Sequence, residues 1–244
     1  MTLKILLDMF INAMMKTKMG SKAILYIQNA NLSNDIRTIR YNDPYRIEIF
    51  DLISKIKMEV PMLLEYDEAY ALYMAVKRTE KIAGDIAEVG VYKGGSSKLI
   101  CEAKGDKNLH VFDTFEGIPE VDDIDYNIFN DHKFKVGEFP GSFELIRGYL
   151  SSYKNVFFYK GVFPSTANSV ANRNFSLVHL DVDTCVSTSS GLEFFYPRMN
   201  RGGIIISHDY INAIGVRKAF DEFFSDKLEP VIEIARTQCL VSKL

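Results

Sequence analysis

The sequence predicts an α/β protein whose mostly parallel sheet finishes in an antiparallel hairpin, and three observations predict it. From Asp85 onward, short apolar runs alternate with stretches of helical periodicity, the rhythm of βαβ units. The first run opens directly into a glycine-rich turn, Glu88-Val-Gly-Val-Tyr-Lys-Gly-Gly95. The last two runs, 230–234 and 238–243, are joined only by Ala235-Arg-Thr237, a link so short that it makes a hairpin, so one of them runs against the rest.

Residues 1–82 read as a helical extension or lid, and 83–244 as the domain proper. Near the amino terminus Lys4, Asp8, Asn12 and Lys16 recur at every fourth position of an apolar stretch. That polar stripe marks an amphipathic helix, packed on its own core or on a second subunit, rather than a secretory segment. Ala69, Leu72, Tyr73 and Val76 keep helical spacing, and Gly84 is the expected stop. Core strands are predicted at 86–91, 109–112, 156–159, 176–180 and 203–207, with helices at 96–103, 143–151, 188–196 and 216–224. The polar stretch 120–141 reads as an irregular loop over the site.

The 244 residues, 47% apolar and 25% charged, support a substantial core. A net charge of −3 offers no concentrated basic face for nucleic acid. No stretch approaches the roughly 20 apolar residues of a membrane span. Cys101, Cys185 and Cys239 are odd in number, far apart and without a CxxC pair, so a reduced, cytoplasmic protein is expected and zinc is not.

Two strand ends carry the chemistry. The run 176–180 ends in Asp181 and Asp183, and the next, 203–207, ends in His208 and Asp209. Consecutive parallel strands release such side chains at one carboxyl edge, where α/β folds place their sites. Three carboxylates and an imidazole gathered there suit a hard divalent cation and a general base. At the other end of the site, Gly90, Gly94 and Gly95 let the backbone turn tightly against a ligand, and Ser96 or Ser97 caps the next helix. The glycine spacing is not G-x-G-x-x-G, which counts against a nicotinamide-dependent oxidoreductase. The second strand ends in Asp113, placed to accept both hydroxyls of a ribose. Glu88, a carboxylate inside an apolar strand, calls for a partner, which a ligand ammonium would supply. His179 reads as a core residue, and His110 and His132 receive no role.

These motifs together resemble the macrocin O-methyltransferase family, enzymes that methylate sugar hydroxyls on macrolides and aminocoumarins. The ordered series runs through the 88–95 turn, Asp113-Thr-Phe-Glu-Gly-Ile-Pro119, Leu180-Asp-Val-Asp183 with Ser187-Thr188, and Arg201-Gly-Gly203 through His208-Asp-Tyr210. It covers roughly residue 60 onward. The resemblance implies the class I methyltransferase fold, a Rossmann-like seven-stranded sheet ending in a hairpin. It implies S-adenosylmethionine over Glu88, Gly90, Val91, Tyr92, Gly94, Gly95 and Ser96. Asp113 and Thr114 would then hold the ribose, and Gly161 and Val162 would flank the adenine, with Met62 and Tyr66 closing over the cofactor. It also implies magnesium on Asp181 and the pair 208–209, Asp183 as general base, a sugar or glycoside acceptor, and a homodimer or higher homo-oligomer. The chain departs from the family in reading His208-Asp209 where the family has two aspartates. His208 is therefore a nitrogen ligand, a group behind the ligands, or a rival base, and imidazole favours manganese, iron or zinc over magnesium. The family's tyrosine after the strand-end acids is replaced by Thr184-Cys185. A catechol or other vicinal diol as acceptor, and a cofactor-binding homologue without catalysis, remain alternative readings.

Overall fold

The computed structural model describes residues 44–244, so the amphipathic amino-terminal stretch lies outside the described residues. Two helices, α1 (Pro44–Glu59) and α2 (Tyr66–Arg78), lead into β1 (Asp85–Val89), α3 (Gly95–Ala103) and β2 (Leu109–Asp113). A small hairpin, β3 (Tyr126–Asn127) and β4 (His132–Lys133), precedes α4 (Phe143–Tyr149) and β5 (Val156–Lys160). Then follow β6 (Phe175–Leu180), α5 (Cys185–Phe195), β7 (Met199–Ser207), α6 (Ile214–Phe224), β8 (Ile232–Glu233) and β9 (Cys239–Ser242).

The main sheet has seven strands in the order β5-β2-β1-β6-β7-β9-β8. Its pairings are parallel except where β9 inserts antiparallel between β7 and β8, as the short terminal link requires. The chain builds outward from β1 to β2 and β5, then returns to the other side of β1 with β6. This reversal opens a crevice at the carboxyl ends of β1 and β6, the place where open α/β sheets bind ligands.

Alternation along the strands feeds two apolar layers, because successive side chains leave a strand on opposite faces. Ile86, Val111, Leu177 and Ile206 face one layer, where α1, α2 and α3 contribute Ile53, Leu72 and Ile100. Ala87, Phe112, Val178 and Ile205 face the other, with Leu192 and Phe195 of α5 and Phe220 of α6. Helices α1 and α2 therefore share the core of the sheet, within one compact unit from Tyr45 to Leu244.

Several elements differ from their sequence-based expectation, each for a local reason. Helix α2 ends at Arg78, short of Gly84, and Thr79 caps it, its hydroxyl donating back to the Ala75 carbonyl at 2.9 Å. Helix α5 begins at Cys185, because the Asp125 carboxylate accepts its N–H at 2.8 Å from a distant loop. The stretch 120–141 is not wholly irregular: β3 and β4 pair over two residues each, too few to leave an alternation signal. Strand β7 starts four residues early, at Met199, paired with Phe175. Among the described residues, no helix is long and apolar enough to cross a membrane.

Candidate active site

The crevice is a cavity of about 620 Å³ reached by both ends of the predicted site. Gly90 makes the close approach of β1 and β6 possible. Its φ is +84°, and a Cβ there would sit 1.8 Å from the Asp181 carbonyl oxygen. The Asp181 N–H donates to the Val89 carbonyl at 2.9 Å and the His208 N–H to that of Leu180 at 3.0 Å, so the three strand ends are fastened in sequence. Tyr92, Asp183 and Asp209 hold left-handed φ values of 51°, 62° and 63°, and all three line the cavity. Non-glycine residues held there cost of order 1–3 kcal/mol each and gather at functional sites.

On the cofactor side, Gly90, Val91, Tyr92, Gly95, Ser96, Asp113, Thr114 and Gly161 line the cavity as expected. Asp113 Oδ2 accepts the N–H groups of Val91 at 2.6 Å and Tyr92 at 3.3 Å, and Oδ1 that of Phe115 at 2.5 Å. The strand-end acid thus also shapes the glycine turn, and burial raises its pKa. Met62 lies over the start of α3, 2.7 Å from where a Gly95 Cβ would be. Tyr66 instead packs on α1, beside Phe50 and under Lys57.

Three expected cofactor residues stand elsewhere. Glu88 is fully buried beneath the turn, accepting from the Ser97 hydroxyl and lying 3.0 Å from His179 Nδ1. Its partners are therefore internal, and it does not reach the cavity wall. Gly94 is the left-handed cap of α3 and faces Ile146 of α4. Val162 is half exposed and lines a neighbouring pocket beside Gly161.

On the opposite wall, Asp181, His208 and Asp209 offer ligand atoms all within 4.8 Å of one another. His208 Nδ1 lies 2.8 Å from Asp209 Oδ2 and 3.3 Å from Asp181 Oδ1, and its Nε2 lies 3.3 Å from Glu68 Oε2. Burial works against charge on His208, but Asp209 and Asp181 outweigh it and hold its pKa well above the ordinary histidine value. Burial likewise opposes charge on Asp209, yet His208 and Asn212 leave its carboxyl below the usual range. Asp183 is pushed well above that range, first by burial and then by the charges of Asp209 and Asp181. A carboxylate so raised holds a proton more strongly than an exposed one.

Sequence reasoning missed Glu68, Asn212, His132 and Thr237, which line the same cavity. Glu68 carries a local signal, three residues after Glu65, but that signal is a capping box, which the structure contains. Asn212 donates Nδ2 to Asp209 Oδ1 at 2.6 Å, and its buried Oδ1 has no hydrogen-bond partner among the described residues. His132 comes to the cavity on the β3–β4 hairpin, its Nε2 3.0 Å from Glu138.

A tetracenomycin-C rhamnosyl 4'-O-methyltransferase of Streptomyces olivaceus is 32% identical over 142 residues, 53% of this chain and 54% of that protein. The mycinamicin III 3''-O-methyltransferase of Micromonospora griseorubida is 28% identical over 142 residues, 53% of this chain and 56% of that protein. The chain thus spans little more than half the length of these relatives. The structure of the O-methyltransferase NovP superposes with a TM-score of 0.67 at 22% identity, covering 82% of this chain and 98% of that one. That of the calicheamicin methyltransferase CalS11 gives 0.61 at 18% identity, covering 85% and 96%. At such identities these two likenesses concern the fold, a class I methyltransferase sheet. The macrocin O-methyltransferase (TylF) profile matches residues 69–240, from α2 through the strand-end acids to β9. With a match over well more than half its length, this chain belongs to the macrocin O-methyltransferase family.

Proposed function

We propose that the protein is an S-adenosylmethionine-dependent O-methyltransferase acting on a hydroxyl of a sugar or glycosylated small molecule, assisted by a divalent cation. One observation carries the reading. The Asp113-anchored glycine turn and the Asp181, Asp183, His208 and Asp209 cluster open into one cavity at the point where strand order reverses. The relatives' names support the acceptor class, since one acts on a rhamnosyl-bearing tetracenomycin and another on mycinamicin III.

The donor supplies an electrophilic methyl group on a sulfonium. Gly90, Val91, Tyr92, Gly95, Ser96 and Asp113, which line the cavity at the carboxyl ends of β1 and β2, would hold it. A sugar hydroxyl is a poor nucleophile at neutral pH, so alignment and proton removal are the protein's tasks. Alignment in such a complex contributes roughly 7–11 kcal/mol. Asp183 takes the hydroxyl proton, a step that adds about 10²–10⁴-fold. The donor set fits a divalent cation: two carboxylates and an imidazole converge, and beside them Asn212 keeps a buried oxygen without a partner among the described residues. Held by Asp181, His208 and Asp209, that cation would lower the pKa of the acceptor hydroxyl and fix its orientation. Residues 61–65, between α1 and α2, cover the cavity from the helical side. The assembly is a homo-oligomer in this reading.

Calorimetric titration of S-adenosylhomocysteine, with NAD alongside, tests the donor half. Micromolar binding of the first alone is expected, and binding of NAD alone would sink the reading. Methyl transfer to a panel of rhamnosides, nucleotide-linked sugars and catechols, before and after EDTA dialysis, tests the rest. Turnover on sugars that falls after chelation and returns with manganese is expected. Activity untouched by thorough chelation removes the cation from the mechanism.

A further inference from the structure

We propose that Glu68 is a positioning residue for the cation site. It fixes His208 so that Nδ1 is a ligand atom, and this chain accordingly takes manganese(II) in preference to magnesium. The inference rests on the cation-assisted reading above and concerns how this chain, with His208 in place of a carboxylate, builds the site.

Glu68 stands on α2, 1% exposed, and meets residues 140 and 169 positions away. Its Oε1 accepts from the Thr237 hydroxyl at 2.6 Å and the Thr237 N–H at 3.2 Å. Its Oε2 accepts the Glu65 N–H at 2.8 Å and lies 3.3 Å from His208 Nε2. An ionised carboxylate can only accept, so the hydrogen on that edge of the imidazole belongs to Nε2. A cation bound beside Asp209 and Asp181 would displace the proton that they hold on Nδ1. The ring, its other proton kept on Nε2 by Glu68, would then present the lone pair of Nδ1. That atom faces Asp181 Oδ1 and Asp209 Oδ2, the oxygens of the same cluster. A carboxylate behind a histidine in this way orients the ring and raises its basicity as a ligand. On the far side, Asn212 occupies Asp209 Oδ1 at 2.6 Å and leaves Oδ2 for the centre. The resulting set is one nitrogen and two carboxylates. Magnesium favours oxygen ligands throughout, whereas manganese(II) shares its liking for carboxylates and, as a transition metal, tolerates one imidazole nitrogen better.

A role for Glu68 confined to capping α2 predicts a change in stability and none at the metal. The discriminating experiment is manganese(II) binding to the full chain, by calorimetry and by electron spin-echo spectroscopy, with S-adenosylhomocysteine present. Three proteins are compared: wild type, Glu68→Gln and His208→Asp. The expected wild-type signal contains modulation from a directly bonded nitrogen, which His208→Asp loses as its preference moves toward magnesium. Glu68→Gln can donate to Nε2 instead of accepting from it, and is expected to bind manganese about 10–100-fold more weakly. Its S-adenosylhomocysteine affinity should be retained, which also reports that it folds. Should Glu68→Gln not fold, Glu68→Asp carries the same expectation, because it withdraws the carboxylate by one methylene. Manganese bound to wild type without nitrogen modulation overturns the proposal while sparing the cation-assisted reading. So does unaltered manganese affinity in the Glu68 variants. No divalent cation bound at all, with S-adenosylhomocysteine still binding, overturns both.

Discussion

At the scale of single residues, Asp183 shows how placement and protonation are set together. It follows β6 by three positions, in a left-handed turn with φ 62° that aims it into the cavity beside Asp181 and Asp209. Burial and those two charges raise its pKa, which equips it to take a proton from a hydroxyl. Asp183→Asn keeps the shape and the tolerance for this backbone conformation, since asparagine enters the left-handed region more readily than most residues. Turnover is expected to fall about 10²–10⁴-fold with S-adenosylhomocysteine affinity unchanged, as read by single-turnover kinetics and calorimetry. Wild-type turnover in that variant would remove Asp183 from the chemistry. Its position was legible in the sequence, as were those of Asp113, Asp181, His208 and Asp209. Each stands at the end of an apolar run, and parallel strands bring such ends to one edge. Glu68 was not legible as a site residue, because its partner is 140 residues away and its nearer neighbours already explain it as a cap. Glu88 misled for the same reason. A buried carboxylate demands partners, but the sequence does not show that Ser97 and His179 are the ones that reach it.

At the scale of elements, Asp125 fastens the long excursion between β2 and α4 onto the sheet. It is fully buried, with Oδ1 accepting the Cys185 N–H at the start of α5 and Oδ2 the Asp122 N–H at 2.7 Å. The Asn127–Ala213 bridge and the Ile128 N–H, donating to the Asn212 carbonyl at 2.8 Å, extend the seam to the loop that holds Asp209. The hairpin so pinned brings Asn127, Phe129 and His132 to the cavity. Asp125→Ala orphans a buried helix N–H and a turn N–H, which costs roughly 1–3 kcal/mol. The expected result is a raised KM for the acceptor, donor affinity close to wild type, and faster proteolysis within 120–141. A variant with unaltered acceptor KM and protease resistance would show that the hairpin holds without this staple. The strands and the glycine turn were legible from periodicity and spacing. The early start of α5 and the order within 120–141 were not, because both depend on a hydrogen bond spanning 60 residues.

At the scale of the molecule, the sheet is completed by its last strand, and the fold depends on how that strand is held. Strand β9 enters between β7 and β8, so residues late in the sequence pair with the strand that carries His208 and Asp209. The terminal hairpin was legible from its three-residue link, but the insertion was not. Nothing in two short apolar runs says which one lies against β7. Glu229 secures the arrangement. It is 6% exposed and accepts from the Tyr196 hydroxyl at 2.7 Å, from Lys243 Nζ at 3.1 Å and from the Leu244 N–H at 3.3 Å. It thereby ties the end of α5 to the residues after β9. Burial alone would raise its pKa, but the hydrogen bonds outweigh burial and hold it down to about 2. A carboxylate depressed on folding stabilises above its unfolded pKa, about 4.3, and that stabilisation is lost as pH falls from there toward 2. Glu229→Gln is therefore expected to lower stability by roughly 1–3 kcal/mol at pH 7 and to differ little from wild type only below about pH 2. Thermal melting of both proteins across that range measures the difference. A gap that stays constant from pH 7 to 2 would mean that Glu229 acts through packing rather than through its charge. A gap that closes on acidification would identify the clasp on β9 as an electrostatic one.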